Sequence, residues 1–270
     1  MNKLRRITVW CALACVAIHI NAQEYNGLKV DGRYLYDQCG EKVILRGINA
    51  FIVFWDRDGS VHYSEIAKTG ANCVRIFWRT GHDPEPFMSP DDLDETIQNC
   101  INNEMLPMVC LWDATGKSFE SEEWNNCLNY WTHPQVMAVL KKHQKFLLLN
   151  IANEVGKNDI TNEQYKAAYK HAIDTLRKSG LHVPLVIDAS NWGRAERYIL
   201  DNAKHLIGHD PDKNLLFSWH PWDNSTSKTR VDNFFAQAEE DTIPIIVGEF
   251  SSTDVFGKQF ADPFIWRHIM

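Results

Sequence analysis

Apolar runs that end abruptly in an acid, an amide or a histidine recur along this chain. They alternate with helix-patterned segments. Val43–Phe51, Asn72–Trp78, Leu106–Asp113, Phe146–Asn153, Pro184–Ala189, Asn214–His220 and Pro244–Glu249 read as strands. Continuous apolarity, rather than strict alternation, indicates strands covered on both faces, as in a parallel sheet. Between them, Tyr63–Thr69, Pro90–Met105, Ser121–Gln144 (broken near Pro134), Asn162–Ser179, Ala195–His205 and Thr229–Glu240 read as helices. A further helix begins in Asp262–Met270, and Lys29–Asp37 with the turn at Cys39-Gly40 reads as a hairpin ahead of the alternation. This order predicts an α/β architecture. A doubly wound sheet usually carries G-x-G-x-x-G after its first strand, but Gly47-Ile48-Asn49-Ala50-Phe51 stands there instead. Polar residues at many strand ends favour a (β/α)8 TIM barrel. Seven strands are readable and the chain stops in a helical pattern, so the expectation is a barrel truncated before strand eight.

Two of the runs end in glutamate. Phe146–Ala152 leads to Asn153-Glu154, and Ile243–Gly248 leads to Glu249. Burying a carboxylate at a strand end is costly unless a partner or a task offsets it. Two of them at one rim of a barrel form the acid/base pair that glycoside hydrolysis uses.

The first 22 residues read as a secretory signal peptide. Lys3, Arg5 and Arg6 precede an apolar stretch from Ile7 to Ile20, and cleavage is expected after Ala22. That stretch is too short to span a bilayer, and lipidation at Cys15 is disfavoured because Leu13 sits one position too late. The expected product is a secreted or periplasmic single domain, 23–270, acting as a monomer. Loss of the leader removes three positive charges and no acids, taking the net charge from −7 to −10. Such a balance argues against a nucleic-acid partner. Cys39, Cys73, Cys100, Cys110 and Cys127 remain, with no C-x-x-C pair, so neither zinc nor any other metal or cofactor is expected.

Further chemistry-bearing residues crowd the expected C-terminal strand ends. Arg75 lies within strand two, where an inward guanidinium needs an anion. Asn49 and Trp55 follow strand one, Trp112 ends strand three, Trp192 follows strand five, and His220 and Trp222 end strand six. Indole faces offer flat apolar platforms for sugar rings. Other patterns dissolve on inspection. Ala114–Ser118 lacks the first P-loop glycine, and no G-x-S-x-G occurs. His205 and His209 flank an apparent helix end, and Asp56–Gly59 is too short a match for a calcium loop.

These residues resemble glycoside hydrolase family 5. The likeness is carried by Leu45-Arg46-Gly47-Ile48-Asn49, Gly70–Ile76, Trp112-Asp113-Ala114-Thr115-Gly116, Asn150–Glu154, Asn191-Trp192-Gly193 and Val247–Phe250. Within the family the chain looks most like bacterial endo-β-1,4-mannanases. The resemblance implies retaining endo-hydrolysis of a β-1,4-linked polysaccharide, with Glu154 as acid/base and Glu249 as nucleophile. Arg75, Asn153 and His220 would support them, and Asn153 would donate to a sugar 2-hydroxyl. Trp112 stands where the mannanase pattern has His, and Trp222 where it has Tyr. The family's strand-eight Trp has no counterpart before Met270. An endoglucanase of the same family, or a non-catalytic carbohydrate-binding barrel, are the alternatives.

Overall fold

The computed structural model describes residues 25–81, 88–221, 226–251, 253, 258 and 265–269. The leader, and Trp222 with it, therefore lie outside the described residues. Seven parallel strands form one curled sheet: β4 (Gly47–Ala50), β5 (Cys73–Trp78), β6 (Leu106–Leu111), β7 (Leu148–Asn150), β8 (Leu185–Asp188), β9 (Leu215–Trp219) and β10 (Ile245–Val247), in sequence order across the sheet. Helices α1 (His62–Ala67), α2 (Pro90–Asn102), α3 (Glu122–Thr132), α4 (Pro134–His143), α5 (Asn162–Lys178), α6 (Arg197–His209) and α7 (Lys228–Glu240) fill the connections, and α8 (Ile265–Ile269) follows β10. This is the TIM-barrel arrangement. No eighth strand joins β4 to β10 among the described residues. Asn49 Nδ2 instead donates to the Gly248 carbonyl at 3.0 Å, linking the two edges at the rim. A cavity of about 1610 Å³ runs from the rim down this gap.

The helices begin where their capping residues dictate. The Ser89, Ser121 and Ser227 hydroxyls each accept a first-turn amide, and Thr161 with Gln164 closes a reciprocal capping box. Pro90 and Pro134 open α2 and α4, where a missing N–H costs nothing. The Pro134 break expected from the sequence thus separates two helices. Apolar faces of the helices pack on the strands around fully buried Trp78, Trp131 and Trp219. Each such aromatic removes on the order of 150–250 Å² from water.

β1 (Lys29–Asp31), β2 (Tyr34–Tyr36) and β3 (Lys42–Val43) form a small antiparallel sheet. Its Val30 and Leu35, with Leu28 just ahead of β1, close the barrel floor against Cys73, Met108, Leu148, Val186 and Leu216. The expected first strand, Val43–Phe51, is therefore two elements. Val43 pairs with Leu35, and only Gly47–Ala50 joins the barrel. The Asn72 side chain bridges the interruption, accepting from Arg46 N–H at 2.7 Å and donating to the Ile44 carbonyl at 2.8 Å. Helix α6 runs on through Gly208 to His209, past the expected end at His205, because Leu206 is held in the core. His209 Nε2 lies 2.9 Å from Asp174 Oδ1. No helix among the described residues is long and apolar enough to cross a membrane.

Candidate active site

The barrel interior carries a polar layer at the upper ends of the strands. Arg75 on β5, Cys110 on β6, Asn150 on β7, Asp188 on β8 and Ser218 on β9 are all buried, four of them charged or polar. Parallel register sets them side by side: Asn49 opposite Arg75, Cys110 opposite Asn150, and Asp188 opposite Ser218. An ionised group can be held at this depth only if its hydrogen-bonding capacity is filled. Arg75 meets that condition. Its Nε and Nη2 donate to Asn150 Oδ1 at 2.9 and 2.7 Å. Nη2 also donates to Asn153 Oδ1 at 2.8 Å and Asp188 Oδ2 at 3.2 Å. Nη1 donates to Glu249 Oε1 at 2.6 Å and reaches Asn49 Oδ1 at 3.5 Å.

Neither glutamate sits on a strand as the apolar runs suggested. β7 ends at Asn150, and the chain bends through Ile151–Asn153 before Glu154. β10 ends at Val247, two residues before Glu249. Glu154 adopts φ +47°, the left-handed region that a non-glycine residue enters only when its surroundings impose it. Its main chain is pinned on both sides. Its N–H donates to Asp188 Oδ2 at 3.0 Å, and its carbonyl accepts from Gly116 N–H at 2.9 Å.

His220 completes the arrangement. Its Nδ1 lies 2.7 Å from Glu154 Oε1 and 3.8 Å from Glu249 Oε1, while Nε2 lies 3.0 Å from Ser218 Oγ. Two glycines leave room for this imidazole. A Cβ on Gly193 would come within 2.4 Å of Nδ1, and one on Gly248 within 2.5 Å of Nε2. One donor atom each from Glu154, His220 and Glu249 falls within a mutual 4.8 Å. Burial pushes the Glu154 carboxyl above its ordinary value, and this outweighs the opposing hydrogen bond from His220. Burial alone would lower His220, but the carboxylates of Asp188, Glu249 and Glu154 around it raise it instead. Both members of the Glu154–His220 contact therefore favour keeping a proton. The spacing would admit a cation, yet Arg75 already supplies positive charge against Glu249.

The residues proposed from the sequence converge here. Asn49, Arg75, Trp112, Asn153, Glu154, Trp192 and Glu249 line one cleft, with His220 buried behind it. Asn153 Nδ2 donates to Thr115 Oγ1 at 3.0 Å, which leaves its second amide hydrogen for a ligand. Trp112 packs edge-on against Phe51 and Phe77, which stack on each other at 4.1 Å. Trp192, at φ +53°, has the Lys157 ammonium 5.9 Å and the Arg194 guanidinium 5.3 Å from its ring centre. Trp55 is 67 % exposed beside Phe54. Sequence reasoning missed Asp188, Asn150 and Ser218. The run Leu185-Val186-Ile187-Asp188 carries the same signal as the two glutamate runs, an acid closing an apolar strand.

The cellulase model, glycosyl hydrolase family 5, matches residues 36–263. This chain belongs to glycosyl hydrolase family 5. As a member of that family it is a glycosidase. A mannan endo-1,4-β-mannosidase of Salipaludibacillus agaradhaerens is 31% identical over 248 residues, covering 88% of this chain and 76% of that protein. A mannan endo-1,4-β-mannosidase of Cellvibrio japonicus is 26% identical over 84% of this chain, which spans 52% of that longer protein. The crystal structure of a β-mannanase from Streptomyces thermolilacinus with mannohexaose superimposes with a TM-score of 0.79 at 26% identity, covering 91% of this chain and 82% of that one. Within family 5, the mannanases are thus the enzymes it most resembles.

Proposed function

We propose that this family 5 glycosidase is a retaining endo-β-1,4-mannanase that works by double displacement through Glu154 and Glu249. The observation that carries the reading is the spacing and unequal setting of the two carboxyls. Oxygens of both lie within 4.8 Å of each other. Retaining glycosidases hold their carboxyls about 5–5.5 Å apart, whereas inverting ones leave room for a water between them. Glu154 has the raised proton affinity an acid needs, and Glu249 faces a guanidinium that favours its ionised form.

In the first step the Glu249 carboxylate attacks the anomeric carbon. The bond to the glycosidic oxygen breaks, and Glu154 gives that oxygen its proton. In the second, ionised Glu154 takes a proton from water, the water oxygen attacks the same carbon, and Glu249 departs. Two inversions give net retention. Arg75 holds the Glu249 oxygen in place, and His220 can hold a proton shared with Glu154 through the cycle. Asn153 offers its free amide hydrogen to a sugar hydroxyl, while Trp112 and Trp192 offer ring faces.

Mannan as substrate is supported by the mannan endo-1,4-β-mannosidase activity of the relatives and by the mannohexaose-bound neighbour. Trp112, where the mannanase pattern has His, favours a second reading as an endo-β-1,4-glucanase. Hydrolysis of mannan against carboxymethylcellulose decides between them. Glu154→Gln and Glu249→Gln should each abolish hydrolysis while oligosaccharide binding persists, with a loss of at least about 10³-fold in kcat. NMR of the first-formed anomer should show retention. Unchanged hydrolysis in either variant would overturn the assignment of that glutamate. Absence of hydrolysis in the unaltered protein, with oligosaccharide binding kept in both variants, would leave a carbohydrate-binding barrel instead. We read the protein as exported, monomeric and cleaved after Ala22. N-terminal sequencing and light scattering of the mature protein test this.

A further inference from the structure

Asp188 is fully buried on β8, and it touches both halves of the site without facing the cleft opening. Its Oδ2 accepts from the Glu154 N–H at 3.0 Å and from Arg75 Nη2 at 3.2 Å. Its Oδ1 accepts from Asn150 Nδ2 at 3.1 Å. Arg75 in turn contacts Glu249, so a single carboxylate is one bond from the backbone of one glutamate and two from the side chain of the other. Three donors point at it, and an acceptor-only group suits all three.

A simple counter-ion role for Arg75 does not account for this placement. Arg75 already has Glu249 at 2.6 Å and the amide oxygens of Asn150 and Asn153. What Asp188 adds is a charge-assisted acceptor for the Glu154 amide. That amide belongs to a residue at φ +47°, a strained conformation for a non-glycine residue unless its surroundings hold it. The direction of the Glu154 side chain follows from that backbone. A relaxed peptide would turn the carboxyl away from the cleft and from His220.

We propose that Asp188 is a positioning residue for the reaction, holding the Glu154 peptide in the left-handed conformation that aims the acid. The proposal rests on the reading of Glu154 as acid/base and Glu249 as nucleophile. An amide cannot replace the carboxylate. Asn150 Oδ1 is committed to Arg75, so Asn150 cannot turn over to offer an acceptor. In Asp188→Asn, either orientation of the new side chain would set its NH2 against a donor.

The test uses two substrates that differ in their need for an acid. A manno-oligosaccharide has a poor leaving group and requires protonation. A 2,4-dinitrophenyl β-mannobioside leaves without it. In Asp188→Asn, kcat/KM should fall on the order of 10²-fold on the oligosaccharide and less than about 5-fold on the activated aryl glycoside. The ratio of the two rates does not depend on how much of a preparation is folded, so partial misfolding does not obscure it. Equal losses on both substrates, including loss of all activity, would make Asp188 a purely structural residue and overturn the proposal. So would unchanged rates on both. Glu154→Gln run alongside should show the same split, more severely. If Glu154→Gln shows none, the assignment of the acid has failed rather than the role of Asp188.

Discussion

Arg75 Nη1 donates to Glu249 Oε1 at 2.6 Å, joining residues 174 positions apart in sequence at the centre of the barrel. The same guanidinium donates to Asn150, Asn153 and Asp188, so it is the hub on which the strand ends are hung. A planar fork can serve these acceptors at once, while an ammonium is a point charge with three donors on a flexible stem. Arg75→Lys should therefore keep the charge and lose the geometry. We expect kcat to fall by at least about 10²-fold, with a stability loss near 3 kcal/mol as buried acceptors go unfilled. Steady-state kinetics and denaturant titration measure both. Retained activity would show that charge alone suffices at this position.

The pH dependence follows from the setting of Glu154. Burial raises its proton affinity, and the acid step needs the proton in place. Activity is therefore lost as pH rises through the raised value, and the basic limb of kcat/KM should lie above about 4.3, the ordinary Glu value. The hydrogen bond from His220 works against burial. Removing it in His220→Asn should move the basic limb further up, along with a reduced maximum. A limb that stays in place or moves down would contradict the assignment.

Gly193 supplies backbone freedom that no other residue can match. Its φ is +71°, and a Cβ there would lie 2.4 Å from His220 Nδ1. Gly193→Ala should cost about 1–3 kcal/mol from backbone strain alone. It should also displace the imidazole from Glu154, so kcat falls in the folded fraction. Thermal unfolding and active-site titration separate the two effects.

A second buried ion pair lies at the opposite end of the barrel. Arg177 donates to Asp210 through Nε at 2.8 Å and Nη2 at 2.9 Å, and caps the Leu181 and Val183 carbonyls. Arg177→Met leaves Asp210, 1 % exposed, without its cation. The expected loss is about 3–5 kcal/mol of stability with unchanged kcat per folded molecule. A parallel drop in kcat would mean that the two ends of the barrel are coupled.

The alternation of apolar runs and helix patterns is a local property, so the barrel class and the order of its elements were legible along the chain. So were Glu154 and Glu249, because an acid closing an apolar run is conspicuous wherever it occurs. Arg75 stood out because a guanidinium inside a buried apolar strand needs an anion. Asn150 and Ser218 did not, because short polar residues inside a buried run do not reveal which face they occupy. Asp188 closes its run as the glutamates do, but its partners, Arg75, Asn150 and the Glu154 amide, come from other strands. The face a residue occupies is set by register between strands, which no single strand encodes. The split of Val43–Phe51 depended on Asn72, the residue just ahead of β5.

Residue type and order thus determined which elements form and which acids have to be satisfied. The tertiary structure alone decided how they are satisfied. It placed Glu154 on a left-handed bend beyond β7, set its amide on Asp188, and brought Arg75 to Glu249. The physical reason is that burial makes every charge depend on partners contributed by other strands. Those partners become neighbours only when the sheet curls.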